Sequence, residues 1–322
     1  MNYIYFLFLE CLIIFPFVIG FFIKEKLKLE EWQKKQLSER MLRINLIYFE
    51  PFIIIWYIGK LEFNLSTLYL PIGGLFLVFL GFLFGYLLSI PYSLRNRITL
   101  IVNTSLANHG YTMGGIICYF ILGEKGLSKA LIFISYFYFY LYGFLFPWIQ
   151  KKQNYYIKNQ SFSIKQKIKD YRLFPLYGLI LGILIFIFQL PLPQSFYLSY
   201  IIQIMVYISI IIYYFSLGIN LEFKKLSLRK NNIVKKILLI KFIIIPLITF
   251  IVLKIIPENL LSLFDKKVIF IMSFMPGAVY SIVSSIIFNL NIQLTIQIFV
   301  WSTITFLIGI LPLLYLFLIK LF

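Results

Sequence analysis

Apolar runs of about 20 residues recur along the whole chain, separated by short polar stretches. A helix of that length crosses the hydrocarbon core of a bilayer. The runs fall at 3–23, 41–59, 68–90, 98–122, 128–149, 173–190, 197–221, 236–256, 267–288 and 295–319, which predicts ten spans. The longest polar gap between the middle spans is Gln150 to Arg172, and it divides the ten into five plus five. The expectation is an all-α polytopic membrane protein with a first repeat at 1–149, a cytoplasmic linker at 150–172 and a second repeat at 173–322.

Two of the runs are interrupted. In the fourth, Asn103 to Met113 reads NTSLANHGYTM and is followed by Gly114-Gly115, with apolar sequence on either side. In the ninth, Met275-Pro276-Gly277 breaks the pattern. Unpaired backbone groups cost several kcal/mol each in lipid, so such breaks persist only where they line a cavity or are buried in protein. Five spans per half is an odd number, which turns the second repeat upside down relative to the first. The two breaks then lie at matching positions of inverted halves, the pattern that marks a transporter binding site. The plainer reading is that Gly110 and Pro276 kink two ordinary spans while the asparagines bond neighbouring helices. The paired placement weighs against it.

Each interrupted span predicts two half-helices, the second halves starting near Thr112 and Ala278. Their N-termini carry unpaired N–H groups and the positive end of the helix dipole, so two of them meeting at one place favour a carboxylate or other anion. Asn103, Asn108, His109, Tyr111 and Thr112 offer directional hydrogen bonds, and Gly110, Pro276, Gly277 and Ala278 bring backbone to the same place. Glu50 lies about nine residues into the second span, before Pro51. An acid at that depth is a functional candidate, here for proton coupling, set against a structural acid paired to a neighbouring helix. His109, the single histidine, is the second coupling candidate, since its ordinary pKa lies near neutrality. Lys241 sits only a few residues inside the eighth predicted span and is expected to snorkel to the cytoplasmic surface.

Composition agrees with the pattern: 61% of the 322 residues are hydrophobic. The formal charge of +18 does not point to nucleic acid, because the lysines lie in loops between apolar runs. The loops after spans one, three, five and seven hold most of the Lys and Arg, which places them in the cytoplasm and both termini outside the plasma membrane, or the inner membrane of a bacterium. Cys11 and Cys118 both fall inside apolar runs and imply neither disulfide nor metal site. No cofactor and no enzymatic cluster is expected.

Several local patterns resemble the auxin efflux carrier family of permeases. Asn108-His109-Gly110-Tyr111 resembles its Asn-x-Gly-aromatic crossover, and Gly123-Glu124-Lys125-Gly126-Leu127 the segment that follows it. Ser216-Leu217-Gly218 resembles its Leu-Gly turn, Met275-Pro276-Gly277-Ala278 its Met-Pro-x-Ala crossover, and Ser302-Thr303 to Leu311-Pro312-Leu313 its closing segment. The chain departs from the family at Met113-Gly114-Gly115, where a proline is usual. The resemblance implies a secondary transporter of a small organic anion, such as a carboxylate, working by alternating access where spans four and nine cross. It also implies a homodimer and a rocking or elevator motion of spans three to five and eight to ten against a scaffold of the others. The bile acid:sodium symporters share this architecture, but no acid lies beside either break, so protons rank ahead of sodium as a coupling ion, with uncoupled flux as the other alternative. A membrane sensor with the same fold and no flux is the remaining alternative.

Overall fold

The computed structural model describes residues 3–59, 65–156, 171–193, 195–222 and 232–316. These are helical nearly throughout, with no sheet among the described residues. In chain order the helices are α1 (Tyr3–Lys26), α2 (Glu31–Gly59), α3 (Leu65–Ser89), α4 (Leu94–Ser105), α5 (Met113–Gly123) and α6 (Lys125–Gln153). They continue as α7 (Phe174–Ile187), α8 (Phe196–Asn220), α9 (Asn232–Ile255), α10 (Leu263–Ser273), α11 (Val279–Ile287) and α12 (Ile292–Tyr315).

Among the described residues, α2, α3 from Leu68, α6, α8, α9 and α12 are long and apolar enough to cross a membrane, and α5 and α7 are shorter apolar helices. The runs at 98–122 and 267–288 are each split, into α4 and α5 and into α10 and α11. Of the linker expected at 150–172, the first residues continue the preceding helix to Tyr156, and 157–170 lie outside the described residues. Phe15, Phe22, Ile187, Ile243, Ile251 and Ile308 are each more than half exposed. Exposed apolar side chains on helices of this length suit a lipid surround.

Proline shapes four of these helices in one way. The π-helical segments Asn45–Phe49, Phe139–Leu145, Ile240–Ile244 and Phe306–Ile310 each end two residues before Pro51, Pro147, Pro246 and Pro312 respectively. A proline ring clashes with the carbonyl four residues earlier and donates no hydrogen bond. In all four cases that carbonyl lies inside the π segment, where a wider turn takes up the conflict without ending the helix.

The chain divides into two compact units, each drawing on both halves of the sequence. The first comprises Met1–Glu62, Tyr138–Leu221 and Ile286–Asn289, and the second Phe63–Phe137, Glu222–Ser285 and Leu290–Phe322. The boundary falls within α6, between Phe137 and Tyr138.

In the first unit, α1 packs on α8 through glycines, as close helix pairs in membranes do. A Cβ at Gly20 would meet the Phe215 carbonyl oxygen at 2.4 Å, and one at Gly218 the Phe17 carbonyl oxygen at 2.0 Å. Helix α2 packs on α7, where a Cβ at Gly178 would meet the Pro51 backbone at 2.7 Å. Buried polar pairs fix the register of α2 and α8: Ser209 Oγ donates to Asn45 Oδ1 at 2.7 Å, Asn220 Nδ2 to Ser38 Oγ at 2.8 Å, and Tyr213 to Glu50. In the second unit, Leu100, Val234, Ile237, Leu294 and Ile298 form a small core that joins α4, α9 and α12.

The α1–α8 contact gives a direct check. Gly218→Ala forces two backbones apart, at a cost of about 1–3 kcal/mol, and should lower the Tm of the purified protein by about 5 °C. Gly309→Ala, with no atom within 4 Å of the added carbon, should leave it unchanged in the same thermal scan.

Candidate functional site: the crossover of two interrupted helices

Both breaks belong to the second unit. Helix α4 ends at Ser105 and a π turn at Tyr111–Gly115 leads into α5; α10 ends at Ser273 and α11 begins at Val279. The extended pieces between them pair antiparallel, Ala107 against Gly277, and the Asn108 N–H donates to the Pro276 carbonyl at 2.7 Å. The Gly277 N–H is taken up by Ser302 Oγ on α12 at 2.9 Å. The Asn108 carbonyl accepts from the Gly114 N–H at 3.2 Å, which turns the chain into α5. Backbone groups freed by breaking two helices thus find partners in each other and in one serine, as a site away from water requires.

The close turn needs Gly114. A Cβ there would stand 2.7 Å from both the His109 carbonyl oxygen and Met272 Sδ. Gly110, by contrast, has only Asn108 Oδ1 near an added carbon, at 3.7 Å.

His109 is 3% exposed and held at both ring nitrogens. Nε2 lies 3.0 Å from the Met272 carbonyl in the last turn of α10, and Nδ1 bonds the Tyr136 hydroxyl. A carbonyl only accepts, so Nε2 carries the proton and, in the neutral ring, Nδ1 accepts from Tyr136. Phe133 and Tyr136 meet the ring edge-on, with centroids 5.4 and 5.9 Å away.

Lys241 comes to the same place from α9. Its side chain is 2% exposed, and Nζ donates to the Leu106 carbonyl at 2.8 Å and the Thr104 carbonyl at 3.4 Å. A small cavity with room on the order of one water molecule is lined by Thr104, Ser105, His109, Lys241 and Ser273, with apolar Leu77, Ile245 and Met275.

The family model of the membrane transport proteins, which is that of the auxin efflux carriers, matches residues 11–315. The chain belongs to this family. Members of the family are membrane transporters and not enzymes. No curated protein matches the chain.

The crossover of this transport protein gathers some of the residues expected from the sequence and leaves others elsewhere. Asn108, His109, Gly110, Pro276, Gly277 and Ala278 lie on the two paired segments, with Asn108 half-buried and Ala278 4% exposed. The side chains of Tyr111 and Thr112 lie outside the described residues. Asn103 sits inside α4, where Nδ2 donates to the Thr99 carbonyl at 2.8 Å and to Thr295 Oγ1 at 2.9 Å, and Thr295 in turn bonds Ser285 at 2.8 Å. Its amide thereby ties α4 to α12 and α11; its Oδ1 has no hydrogen-bond partner among the described residues. Glu50 belongs to the first unit, 2% exposed, accepting from Tyr213 and from Tyr142 at 3.4 Å.

The snorkelling expected of Lys241 is overturned. Helix α9 begins at Asn232, so Lys241 is its tenth residue rather than an end residue, and its ammonium is buried at the crossover. Tyr136, Met272 and the Thr295–Ser285 pair also escaped the sequence reading. Ser302 was named in the resemblance to the family's closing segment, but its bond to the Gly277 N–H was not foreseen. Among the described residues no group of three or more His, Cys, Asp or Glu could hold a metal ion.

Gly114→Ala should displace the His109 carbonyl or Met272 and cost about 1–3 kcal/mol, seen as a lower Tm. Gly110→Ala should stay within about 0.5 kcal/mol of the parent. Equal thermal scans for the two variants would refute the close-packed turn.

Proposed function

We propose that the protein is a secondary transporter that moves a small organic anion, such as a carboxylate, across the plasma membrane by alternating access at this crossover. The observation that carries the reading is the pairing of Ala107 with Gly277, beyond which α5 and α11 begin. Two half-helix N-termini leading away from one paired segment offer N–H groups and two partial positive charges to an anion. Asn108 and the backbone of Gly110, Gly277 and Ala278 supply the directional contacts, with Tyr111 and Thr112 assigned to the same site.

In this reading the ten apolar runs are two inverted five-span repeats, 1–149 and 173–322. Both termini are extracytoplasmic, and the Lys- and Arg-rich loops are cytoplasmic. Spans three to five and eight to ten are the moving part, and spans one, two, six and seven form the scaffold and a dimer contact. Protons couple the flux through Glu50, whose carboxylate is buried among phenols, or through His109.

The test is flux of labelled malate, and separately of an indole carboxylate, in proteoliposomes with and without a pH gradient. Asn108→Ala should lower flux more than about tenfold while the protein stays folded, because the backbone bonds of residue 108 survive the change. Glu50→Gln should keep flux and lose its response to the gradient. Flux indifferent to both substitutions would place the site elsewhere.

A further inference from the structure

Three described lysines donate to backbone carbonyls at helix C-terminal ends. Lys24 meets the Leu221 carbonyl at 2.6 Å, beyond the end of α8, and also pairs with Glu25 at 3.0 Å. Lys266 meets the Ile256 carbonyl at 2.5 Å, beyond the end of α9. Both reach helix ends that face loops, where a lysine is an ordinary cap. Lys241 differs in two respects. The helix end it serves is the interruption of a span, and it arises from the interior of a 24-residue apolar helix. A charged side chain there is expensive and needs a reason. Among the described residues no carboxylate lies within ion-pair distance of it, and only two of its three N–H groups are taken up, by Leu106 and Thr104.

The C-terminal end of a helix carries about half a negative charge and carbonyls that lack intrahelical partners. Where transporters interrupt a helix at mid-membrane, unwound carbonyls and half-helix C-terminal ends are where a coupling cation binds. The end of α4 is such a place, with the Thr104 and Leu106 carbonyls directed at one point beside a small cavity of mixed polar and apolar lining. We propose that Lys241 is a built-in cation. Its ammonium takes the position that a bound sodium ion would take, so the crossover is electrostatically complete without one and the protein works independently of sodium. The inference rests on the transport reading for its flux measurement only.

The experiment uses Lys241→Ser, which clears the position and leaves an oxygen beside it, and Lys241→Gln, which keeps hydrogen-bond donation to the carbonyls but not the charge. Thermal unfolding of the purified full-length protein is followed in choline chloride, NaCl, LiCl and KCl at one ionic strength. The parent should unfold at the same temperature in all four. Lys241→Ser and Lys241→Gln should each unfold about 5 °C lower in choline. Lys241→Ser should recover, with saturation, in one of the alkali chlorides. Malate flux should follow: unchanged by sodium in the parent, down at least about tenfold in Lys241→Ser in choline, and restored by the same cation.

Parent stability or flux that needs sodium would overturn the proposal. So would Lys241→Gln behaving as the parent in choline, since a plain hydrogen-bonding cap would then suffice, or a folded Lys241→Ser that answers to no alkali cation. If Lys241→Ser does not fold, Lys241→Gln decides between charge and cap. If the parent moves no carboxylate, the transport reading falls by itself, and the thermal comparison still decides the role of Lys241.

Discussion

Everything at the crossover follows from one constraint, that a backbone N–H or carbonyl in a water-poor interior must find a partner or cost several kcal/mol. Breaking α4–α5 and α10–α11 frees such groups at two places. The two extended pieces pair with each other through Asn108 and Pro276, and neighbouring helices complete the account. Helix α12 gives Ser302 Oγ to the Gly277 N–H, α9 gives Lys241 Nζ to the Leu106 and Thr104 carbonyls, and His109 reaches the Met272 carbonyl with Tyr136 of α6 behind it. Helices α6, α9 and α12 each contribute one polar group. The same accounting explains why the apolar middle of α9 carries a buried lysine and α12 a fully buried serine.

Proline placement works on the same currency. A proline removes one donor and crowds a carbonyl one turn earlier, and in four helices a π turn absorbs both effects. In α9 this puts Lys241 inside the widened turn Ile240–Ile244, and in α2 it puts Glu50 immediately after the widened turn Asn45–Phe49. The two buried charges at depth thus stand beside irregular helix, where side-chain direction departs from the regular 3.6-residue period.

The helices were legible because length and hydropathy alone define a spanning segment, and the breaks were legible because Asn, His, Gly and Pro interrupt otherwise unbroken apolar sequence. Two things were not. The start of α9 is set at Asn232 rather than at 236, a shift of about 6 Å along the axis, and it is enough to turn Lys241 from an end residue into a buried one. The use of Asn103 depends on Thr295, far away in sequence, and a buried amide in an apolar helix takes whatever partner the neighbouring helix offers. Hydropathy locates a helix to within a turn, whereas a site is decided at the scale of one hydrogen bond. The grouping of the compact units, each assembled from segments of both halves of the chain, does not show in hydropathy along the chain and came only from the resemblance, which kept the fifth span whole where the structure divides it between Phe137 and Tyr138.

The sign of the charge at the crossover can be argued from the helix ends. Four of them meet there: the C-termini of α4 and α10, each about half a negative charge, and the N-termini of α5 and α11, each about half a positive one. Taken alone they cancel. The two negative ends, however, are already engaged, α4 by the ammonium of Lys241 and the last turn of α10 by the Nε2–H of His109. The positive ends are answered in part as well, since the Gly114 N–H in the first turn of α5 donates to the Asn108 carbonyl, so the surplus comes from the built-in cation proposed above, which half a helix dipole neutralises only in part. The proposed preference for an anion therefore does not rest on the N-termini by themselves, as the sequence suggested. It rests on the sum of helix ends and side chains at the break, and a site built as proposed would hold its positive field in place whether or not an external cation is present.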